Sequence, residues 1–123
     1  MNKYIFVYGT LMSSFDNPAA KRLKEEATLI GKATINGSLY QLERYPAVVF
    51  DSKDKVHGEL YELHDENSFA WIDQYEEVPI LYVRRKVKAK CEGIKYKCYA
   101  YEYAGHVYQY AKIEGGNYLN ILV

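Results

Sequence analysis

The sequence predicts an α+β fold, in which an antiparallel barrel or strongly curled sheet carries two short peripheral helices. About six or seven short segments have strand-like patterns, and turn signals separate them. Two segments have helical patterns, which is too few to cover both faces of a parallel sheet. The 14 Tyr among 123 residues fit a sheet, a binding site or both, because Tyr is a strand former and also a polar-tipped aromatic. We expect a single domain spanning residues 1–123.

The chain begins with a strand and a helix. Lys3–Tyr8 contains Tyr, Ile, Phe, Val and Tyr in succession, a run typical of a buried strand. Asn17 can cap a helix, and Pro18 suits the first turn. Ala19–Glu26 is rich in strong helix formers, so we expect the first helix there.

Three strand-like segments follow the first helix. Ala27–Ile35 and Ser38–Leu42 flank Asn36-Gly37, a dipeptide typical of tight hairpin turns. This arrangement predicts that the two segments pair with each other as a hairpin. Ala47–Phe50 is a further short strand in this prediction.

The middle of the chain predicts a turn, a strand and the second helix. Asp51–Asp54 has turn composition, and Lys55–Leu63 alternates as a half-buried strand does. Asp65–Tyr75 carries an apolar stripe at helical spacing and candidate caps at its start. Pro79 ends any helical tendency beyond it.

A long hairpin and a tail complete the chain. Leu81–Cys91 and Ile94–Tyr103 are strand-like, and Glu92-Gly93 between them suits a two-residue turn. The tail, His106–Val123, contains Gly115-Gly116 before an apolar ending and could cover a sheet edge.

The turn at Glu92-Gly93 sets the positions of the two cysteines. It places Cys91 opposite Ile94 and Cys98 opposite Val87, so the thiols are too far apart along the ladder for a disulfide. The apolar run near the first residues ends at Gly9 and is too short for a signal peptide. Together with reduced cysteines, this leads us to expect a cytoplasmic protein.

Charge and hydropathy exclude several classes of partner. The 16 Lys plus Arg balance 16 Asp plus Glu, which gives no support to a nucleic-acid or anionic-membrane partner. No apolar run approaches the ~20 residues that span a bilayer. The sequence has no Cys-x-x-Cys pair, no Cys/His cluster and no nucleophile elbow, so neither a metal site nor a catalytic triad is expected.

The loop after the first strand is one candidate site. In Val7–Met12 the strand runs into Gly9, and Gly permits an unusual φ that can turn backbone N–H groups outward. Such N–H groups bind a carboxylate or a phosphate. The alternative is that Gly9 simply ends a strand.

The acidic end of the second helix is another candidate site. Asp73, Glu76 and Glu77 lie within five residues at a helix C-terminus, where carboxylates oppose the helix dipole. A carboxylate in a partly dry pocket would have a raised pKa and could move protons near neutral pH. The alternative is a solvated acidic turn that pairs with Arg84 and Arg85.

Taken together, six strings spread over most of the chain resemble the gamma-glutamylcyclotransferase-like family, which includes AIG2-like proteins and gamma-glutamylamine cyclotransferase. Their order along the chain is more specific than any one of them. The strings are Val7-Tyr8-Gly9-Thr10-Leu11, Tyr40-Gln41-Leu42 with Tyr45-Pro46-Ala47-Val48, Val56-His57-Gly58-Glu59-Leu60-Tyr61, Ile72-Asp73-Gln74-Tyr75-Glu76, Tyr82-Val83-Arg84-Arg85-Lys86-Val87 and Tyr99-Ala100-Tyr101-Glu102-Tyr103.

The resemblance implies a small mixed, mainly antiparallel β-barrel with two short flanking helices. It also implies an enzyme that needs no cofactor and converts a γ-glutamyl amine or amide to 5-oxoproline and a free amine. Glu76 would be the general acid/base. The residues expected to bind the small-molecule substrate are Tyr8, Gly9, Thr10, Leu11, Tyr82 and Tyr101, with Tyr75 also near Glu76.

Two alternatives accompany this interpretation. The family usually has Gly after the catalytic glutamate, whereas this chain has Glu77. A second carboxylate would raise the pKa of Glu76 if both face the same way, and would do nothing if Glu77 points outward. The chain could also be a binding module that keeps the pocket and recognises the ligand without turnover.

Overall fold

A computed structural model describes residues 3–51 and 54–121. Eight strands and two α-helices follow one another along these residues, together with 3-10 turns at Glu66–Ser68 and Tyr118–Ile121. In chain order they are β1 (Tyr4–Val7), α1 (Pro18–Glu26), β2 (Ala27–Asn36), β3 (Ser38–Gln41), β4 (Pro46–Val49), β5 (Lys55–Leu63), α2 (Phe69–Tyr75), β6 (Tyr82–Cys91), β7 (Ile94–Tyr103) and β8 (Ala111–Lys112).

Five strands close into a barrel in the order β1-β5-β2-β6-β7. Neighbouring strands are antiparallel, except that β1 and β7 meet in parallel with Ile5 opposite Tyr99. The predicted fold class is therefore confirmed: a small mixed, mainly antiparallel barrel with two short helices. The single domain over residues 1–123 stays a prediction.

The strand β1 lies between β5 and β7 and is buried on both faces. Ile5 and Phe6 are fully buried although they point to opposite sides of the strand. The apolar run at the start of the chain therefore fits its position in the barrel. Because β1 is held on both sides, the loop that follows it starts from a fixed point.

The first helix and the long hairpin follow their sequence signals. Asn17 caps α1, since its side chain accepts from the N–H of Ala20 at 2.7 Å. The turn at Glu92-Gly93 places Cys91 opposite Ile94 and Cys98 opposite Val87, the register that the sequence predicts. Both cysteines are free and buried.

The predicted hairpin at Asn36-Gly37 is wrong. The strand β2 pairs with β5 and β6 in the barrel, whereas β3 pairs with β4 and β8 in a separate three-stranded sheet. Gly37 is the crossing point between the two sheets, where a Cβ would lie 2.9 Å from the carbonyl oxygen of Val49. Asn36 instead pairs with Lys55, at the far end of the long β2–β5 ladder.

Two other expectations concern the middle and the end of the chain. The predicted turn at residues 51–54 includes Ser52 and Lys53, which lie outside the described residues. The tail covers a sheet edge, as expected, because β8 pairs with β3 and the N–H of Ile113 donates to the carbonyl of Leu39 at 2.7 Å. In the described parts of the chain, no helix combines the length and the apolarity needed to cross a membrane.

Candidate active site

A pocket of about 90 Å³ lies where the loop after β1 faces the C-terminal end of α2. Tyr82, the first residue of β6, and Tyr101, near the C-terminal end of β7, also contribute to its wall. The structure brings all seven of the predicted site residues together around it: Tyr8, Gly9, Thr10, Leu11, Glu76, Tyr82 and Tyr101. Tyr75 also lines it, in accordance with its expected position near Glu76.

The backbone of the loop after β1 has carbonyl groups engaged within the protein, whereas three of its N–H groups have no partner among the described residues. The carbonyl of Gly9 accepts from the N–H of Met12 at 3.1 Å, and the carbonyl of Thr10 accepts from Nδ2 of Asn17 at 2.8 Å. Among the described residues, no protein acceptor is found for the N–H groups of Gly9, Thr10 and Leu11. Because all three residues line the pocket, their N–H groups are candidate donors to an anionic ligand.

Gly9 is required for a reason that the sequence does not indicate. Its φ is not in the left-handed region, so the expectation of an unusual backbone conformation is wrong. Instead, a Cβ on Gly9 would lie 2.9 Å from Cγ of Pro46, which is closer than real Cβ contacts. The absence of a side chain lets the loop pack directly against Pro46, at the start of β4.

Tyr8 and Tyr82 use their hydroxyls to hold the pocket wall. The hydroxyl of Tyr8 donates to the carbonyl of Tyr101 at 2.5 Å, and that of Tyr82 donates to the carbonyl of Pro46 at 2.6 Å. Burial raises the pKa of both phenols above the usual value. Both therefore remain protonated donors, and they present their rings rather than free hydroxyls to a ligand.

Glu76 follows the last residue of α2 and is partly buried in the pocket. Its backbone N–H donates to the carbonyl of Ile72 at 2.9 Å, which fixes the residue to the end of the helix. In the described part of the chain, its carboxylate has neither an ion-pair nor a hydrogen-bond partner. Burial, and secondarily the negative charge of Asp73, raise the pKa of Glu76 to about 8.

Asp73 lies one helical turn before Glu76 and has partners of its own. Its Oδ1 accepts from the hydroxyl of Tyr101 at 2.6 Å and lies 3.4 Å from Nε of Arg84. The guanidinium of Arg84 also stacks over the ring of Phe69, with Cζ at 4.2 Å from the ring centroid. These contacts fix Asp73 beside the pocket, where its charge acts on Glu76.

The alternative of a solvated acidic turn describes Asp73 but not Glu76. Arg84 pairs with Asp73, whereas Arg85 pairs with Glu102 at 2.7 Å. Neither arginine forms an ion pair with Glu76 among the described residues. Of the three carboxylates at the acidic end of α2, Asp73 is paired with Arg84, Glu76 is partly buried in the pocket and Glu77 is exposed.

Glu77 lines the same pocket but has a different environment from Glu76. It is exposed, and its φ of 53° lies in the left-handed region that favours Gly. Burial and Asp73 are the causes of the raised pKa of Glu76, and Glu77 is not one of them. The alternative in which Glu77 raises the pKa of Glu76 is therefore not supported.

Several residues of the site were not identified as site residues from the sequence. Tyr45, Pro46 and Leu81 line the pocket, and Asn17 tethers its loop. The string Tyr45-Pro46-Ala47-Val48 carried the signal for the first two. Asn17 was predicted only as a helix cap. Its position just before Pro18 indicates that Oδ1 accepts from the first turn of α1, but nothing in the sequence indicates that Nδ2 donates to the carbonyl of Thr10. The hydroxyls of Thr10 and Tyr75 also meet across the mouth of the pocket at 2.8 Å.

A metal site has no support in the residues that the structure describes. No group of three or more His, Cys, Asp or Glu side chains lies close enough together there to hold a metal ion. The absence of a cofactor stays a prediction.

Comparisons with known proteins identify the family. A family model described as "Gamma-glutamyl cyclotransferase, AIG2-like" matches residues 5–120. A Bos taurus protein named "Gamma-glutamylaminecyclotransferase" is 30% identical over 103 residues, which are 74% of this chain and 58% of that protein. A Vibrio cholerae protein named "Putative gamma-glutamylcyclotransferase" is 34% identical over 90 residues, 72% of this chain and 74% of the relative.

Solved structures show the same fold. The solution structure of protein ytfP from Escherichia coli has a TM-score of 0.73 at 27% identity and covers 98% of this chain and 99% of its own. The crystal structure of an AIG2-like protein from Mus musculus has a TM-score of 0.74 at 22% identity, with 88% of this chain and 81% of its own covered. The family match over residues 5–120 includes both the loop after β1 and Glu76. The chain therefore belongs to the gamma-glutamyl cyclotransferase, AIG2-like family.

Proposed function

We propose that this chain is a cyclotransferase that converts a γ-glutamyl amine or amide to 5-oxoproline and a free amine. One observation carries the proposal: a carboxyl group with a pKa of about 8 shares a small pocket with three unpartnered backbone N–H groups. The bovine and Vibrio relatives, whose names include this activity, support the same assignment. The aligned part of this chain spans 58% of the bovine relative, so the activity is proposed on the pocket as well as on the likeness.

The loop after β1 is the proposed binding site for the α-carboxylate of the substrate. The N–H groups of Gly9, Thr10 and Leu11 would donate to its oxygens, as backbone nests do for other anions. Tyr8, Tyr82 and Tyr101 form the walls on which the aliphatic part of the glutamyl group packs. Because these residues are fixed by their own hydrogen bonds, the pocket is formed before the ligand arrives.

The proposed reaction is an intramolecular transfer of the γ-glutamyl acyl group. The α-amino nitrogen attacks the γ-carbonyl carbon, the ring C–N bond forms, and the original amide C–N bond breaks to release the amine. Holding both groups of one molecule in a folded conformer removes most of the entropic barrier to such an attack. No water is consumed, so the acyl product is 5-oxoproline rather than glutamate.

Glu76 is the proposed proton carrier. As a carboxylate it accepts the proton that the α-amino nitrogen loses on attack, and it returns that proton to the nitrogen of the leaving amine. Its pKa of about 8 is close to the ~8 of a typical α-ammonium group, so transfer between the two is nearly isoenergetic. An ordinary carboxyl with a pKa near 4.5 would be a much weaker base toward the same ammonium.

The proposal is tested by the identity of the product. The purified protein, dialysed against a chelator, is incubated with γ-glutamyl alkylamides, γ-glutamyl amino acids and glutathione, and the products are separated by chromatography. We expect 5-oxoproline and free amine in equal amounts from at least one substrate. Release of glutamate would contradict the intramolecular mechanism, and saturable ligand binding without any product would favour a binding module.

A further inference from the structure

The charge of the pocket wall is one-sided. Glu76 and Glu77 line it, and no Lys, Arg or His does so among the residues that the structure describes. From this we infer that Glu77 selects the charge of the leaving amine: it favours γ-glutamyl amides whose leaving amine carries a second, cationic group and disfavours those that carry a carboxylate. The inference rests on the proposed function and names a residue that determines specificity at the same site.

The position of Glu77 places its charge on the leaving-group side of the pocket. If the α-carboxylate binds the loop after β1 and the α-amino group meets Glu76, the γ-glutamyl part fills the small cavity of about 90 Å³. The leaving amine then extends toward solvent. Glu77 is the exposed member of the two lining carboxylates, so it lies where that amine leaves the pocket.

The carboxylate of Glu77 is available to a ligand. Among the described residues it forms no ion pair and no hydrogen bond. It also does not contribute to the raised pKa of Glu76. Its charge therefore serves neither the fold nor the proton carrier within the described part of the chain.

The backbone at this position does not favour a glutamate. A φ of 53° lies in the left-handed region, which is sterically easier for Gly than for a residue with a side chain. Glu92, in the turn between β6 and β7, has a nearly identical φ of 51° but lies at the opposite end of the long hairpin from the pocket. Glu92 is therefore a matched control for both the charge and the conformation of Glu77.

Two aromatic rings at the mouth suit the aliphatic part of such an amine. Tyr45 and Tyr75 line the pocket and remain 40% and 41% exposed. A short methylene chain can pack along these rings while its terminal ammonium stays hydrated near Glu77, as lysine side chains do on protein surfaces. The chemistry that fits this mouth is that of the γ-glutamyl amide of an alkyl diamine.

The test uses three γ-glutamyl amides whose leaving amines have the same chain length. One ends in a methyl group, the second in an ammonium and the third in a carboxylate, and kcat/KM for 5-oxoproline formation is measured for each. We expect wild type to favour the cationic over the anionic substrate by about tenfold at low ionic strength, with a smaller preference in about 1 M salt. Glu77→Gln should bring the ratio close to one, Glu77→Lys should invert it, and Glu92→Gln should keep the wild-type ratio.

The outcomes separate this inference from the proposed function. A cation-to-anion ratio that is the same in wild type, Glu77→Gln and Glu77→Lys would overturn the inference while the proposed function stands, provided that 5-oxoproline forms. If none of the three amides yields 5-oxoproline in wild type while a γ-glutamyl amino acid or glutathione does, the inference is overturned and the proposed function stands. If no γ-glutamyl compound of either panel yields 5-oxoproline, both fail. Because each ratio is taken within one variant, partial unfolding of a variant does not imitate the expected result.

Discussion

The hydroxyl of Tyr101 donates to Oδ1 of Asp73 at 2.6 Å, and this bond joins the C-terminal part of β7 to α2 beside the pocket. Burial and this contact raise the pKa of Tyr101 far above its usual value, so the phenol stays a donor. Asp73 is thereby held one helical turn from Glu76, whose pKa its charge raises. A residue outside the reaction thus helps to set the proton affinity of the proposed proton carrier.

Replacing Asp73 tests that relationship. Asp73→Asn removes the charge but keeps an oxygen that can accept from Tyr101, so the pKa of Glu76 should fall. The limb of the pH profile of kcat/KM that reports Glu76 as a base should move to lower pH, whereas the ionisation of the substrate does not move. Titration of the Glu76 carboxyl carbon by NMR should show the same shift. Glu92→Gln, a charge removal far from the pocket, is the control and should leave the pKa of Glu76 unchanged. If Asp73→Asn also leaves the pKa of Glu76 unchanged, the charge of Asp73 does not raise it.

The raised pKa of Glu76 also predicts a stability difference. Below about pH 4.5 the carboxyl is protonated in both the folded and the unfolded chain. Between about 4.5 and 8 the unfolded chain releases the proton and the folded chain keeps it, so the free energy of unfolding falls as pH rises. Glu76→Gln removes this penalty and should be more stable than wild type by about 1–3 kcal/mol near pH 8.

Thermal unfolding at several pH values checks this prediction. The difference in Tm between Glu76→Gln and wild type should be small near pH 4 and should grow through the pH range where the unfolded carboxyl ionises. If Glu76→Gln is instead less stable than wild type by the same amount at all pH values, Glu76 stabilises the fold by packing, and its burial does not lower the free energy of unfolding.

The two functions of Asn17 can be separated. Asn17→Asp keeps the oxygen that caps α1 but loses the Nδ2 donor to the carbonyl of Thr10, so it should alter the loop more than the helix. We expect a raised KM with the free energy of unfolding within about 0.5 kcal/mol of wild type. Asn17→Ala loses both contacts and should in addition destabilise the protein by about 1 kcal/mol. Equal KM values in wild type and Asn17→Asp would show that the tether is unimportant.

The contact between Gly9 and Pro46 predicts a rescue. Gly9→Ala places a Cβ 2.9 Å from Cγ of Pro46, so the loop must shift and activity should fall by at least about tenfold. Pro46→Ala removes the obstructing ring but keeps the carbonyl that accepts from Tyr82. The double variant should therefore recover part of the activity lost in Gly9→Ala. Additive losses in kcat/KM would argue against a steric cause.

Local sequence patterns predicted the parts of the fold that local chemistry decides. The turn at Glu92-Gly93 sets the register of both flanking strands, because a two-residue turn leaves no freedom in pairing. Asn36-Gly37 has the same kind of signal, yet β2 pairs there with β5. In that pairing Asn36 lies opposite Lys55, although β3 and β4 separate the two residues in the sequence. The dipeptide Asn36-Gly37 carries no information about pairing with a strand so far along the chain.

The candidate site was predicted in its composition but not in its internal bonding. The family strings identified the residues that meet around the pocket, including Glu76 and the loop at Gly9. The reason for Gly9 was wrong because the contact with Pro46 depends on how β4 packs on the loop. The use of Tyr8 and Tyr82 hydroxyls as donors to backbone carbonyls could not be predicted either, since those carbonyls belong to segments distant in sequence.

The proton-carrying function of Glu76 is the central claim, and one comparison tests it most directly. The rate of 5-oxoproline release from the best γ-glutamyl amide is measured for wild type, Glu76→Gln and Glu92→Gln under single-turnover conditions. Loss of one general acid/base group predicts a fall of about 10²–10⁴-fold in Glu76→Gln, with Glu92→Gln equal to wild type. If Glu76→Gln releases 5-oxoproline as fast as wild type, Glu76 does not carry the proton and the mechanism proposed for this pocket is wrong.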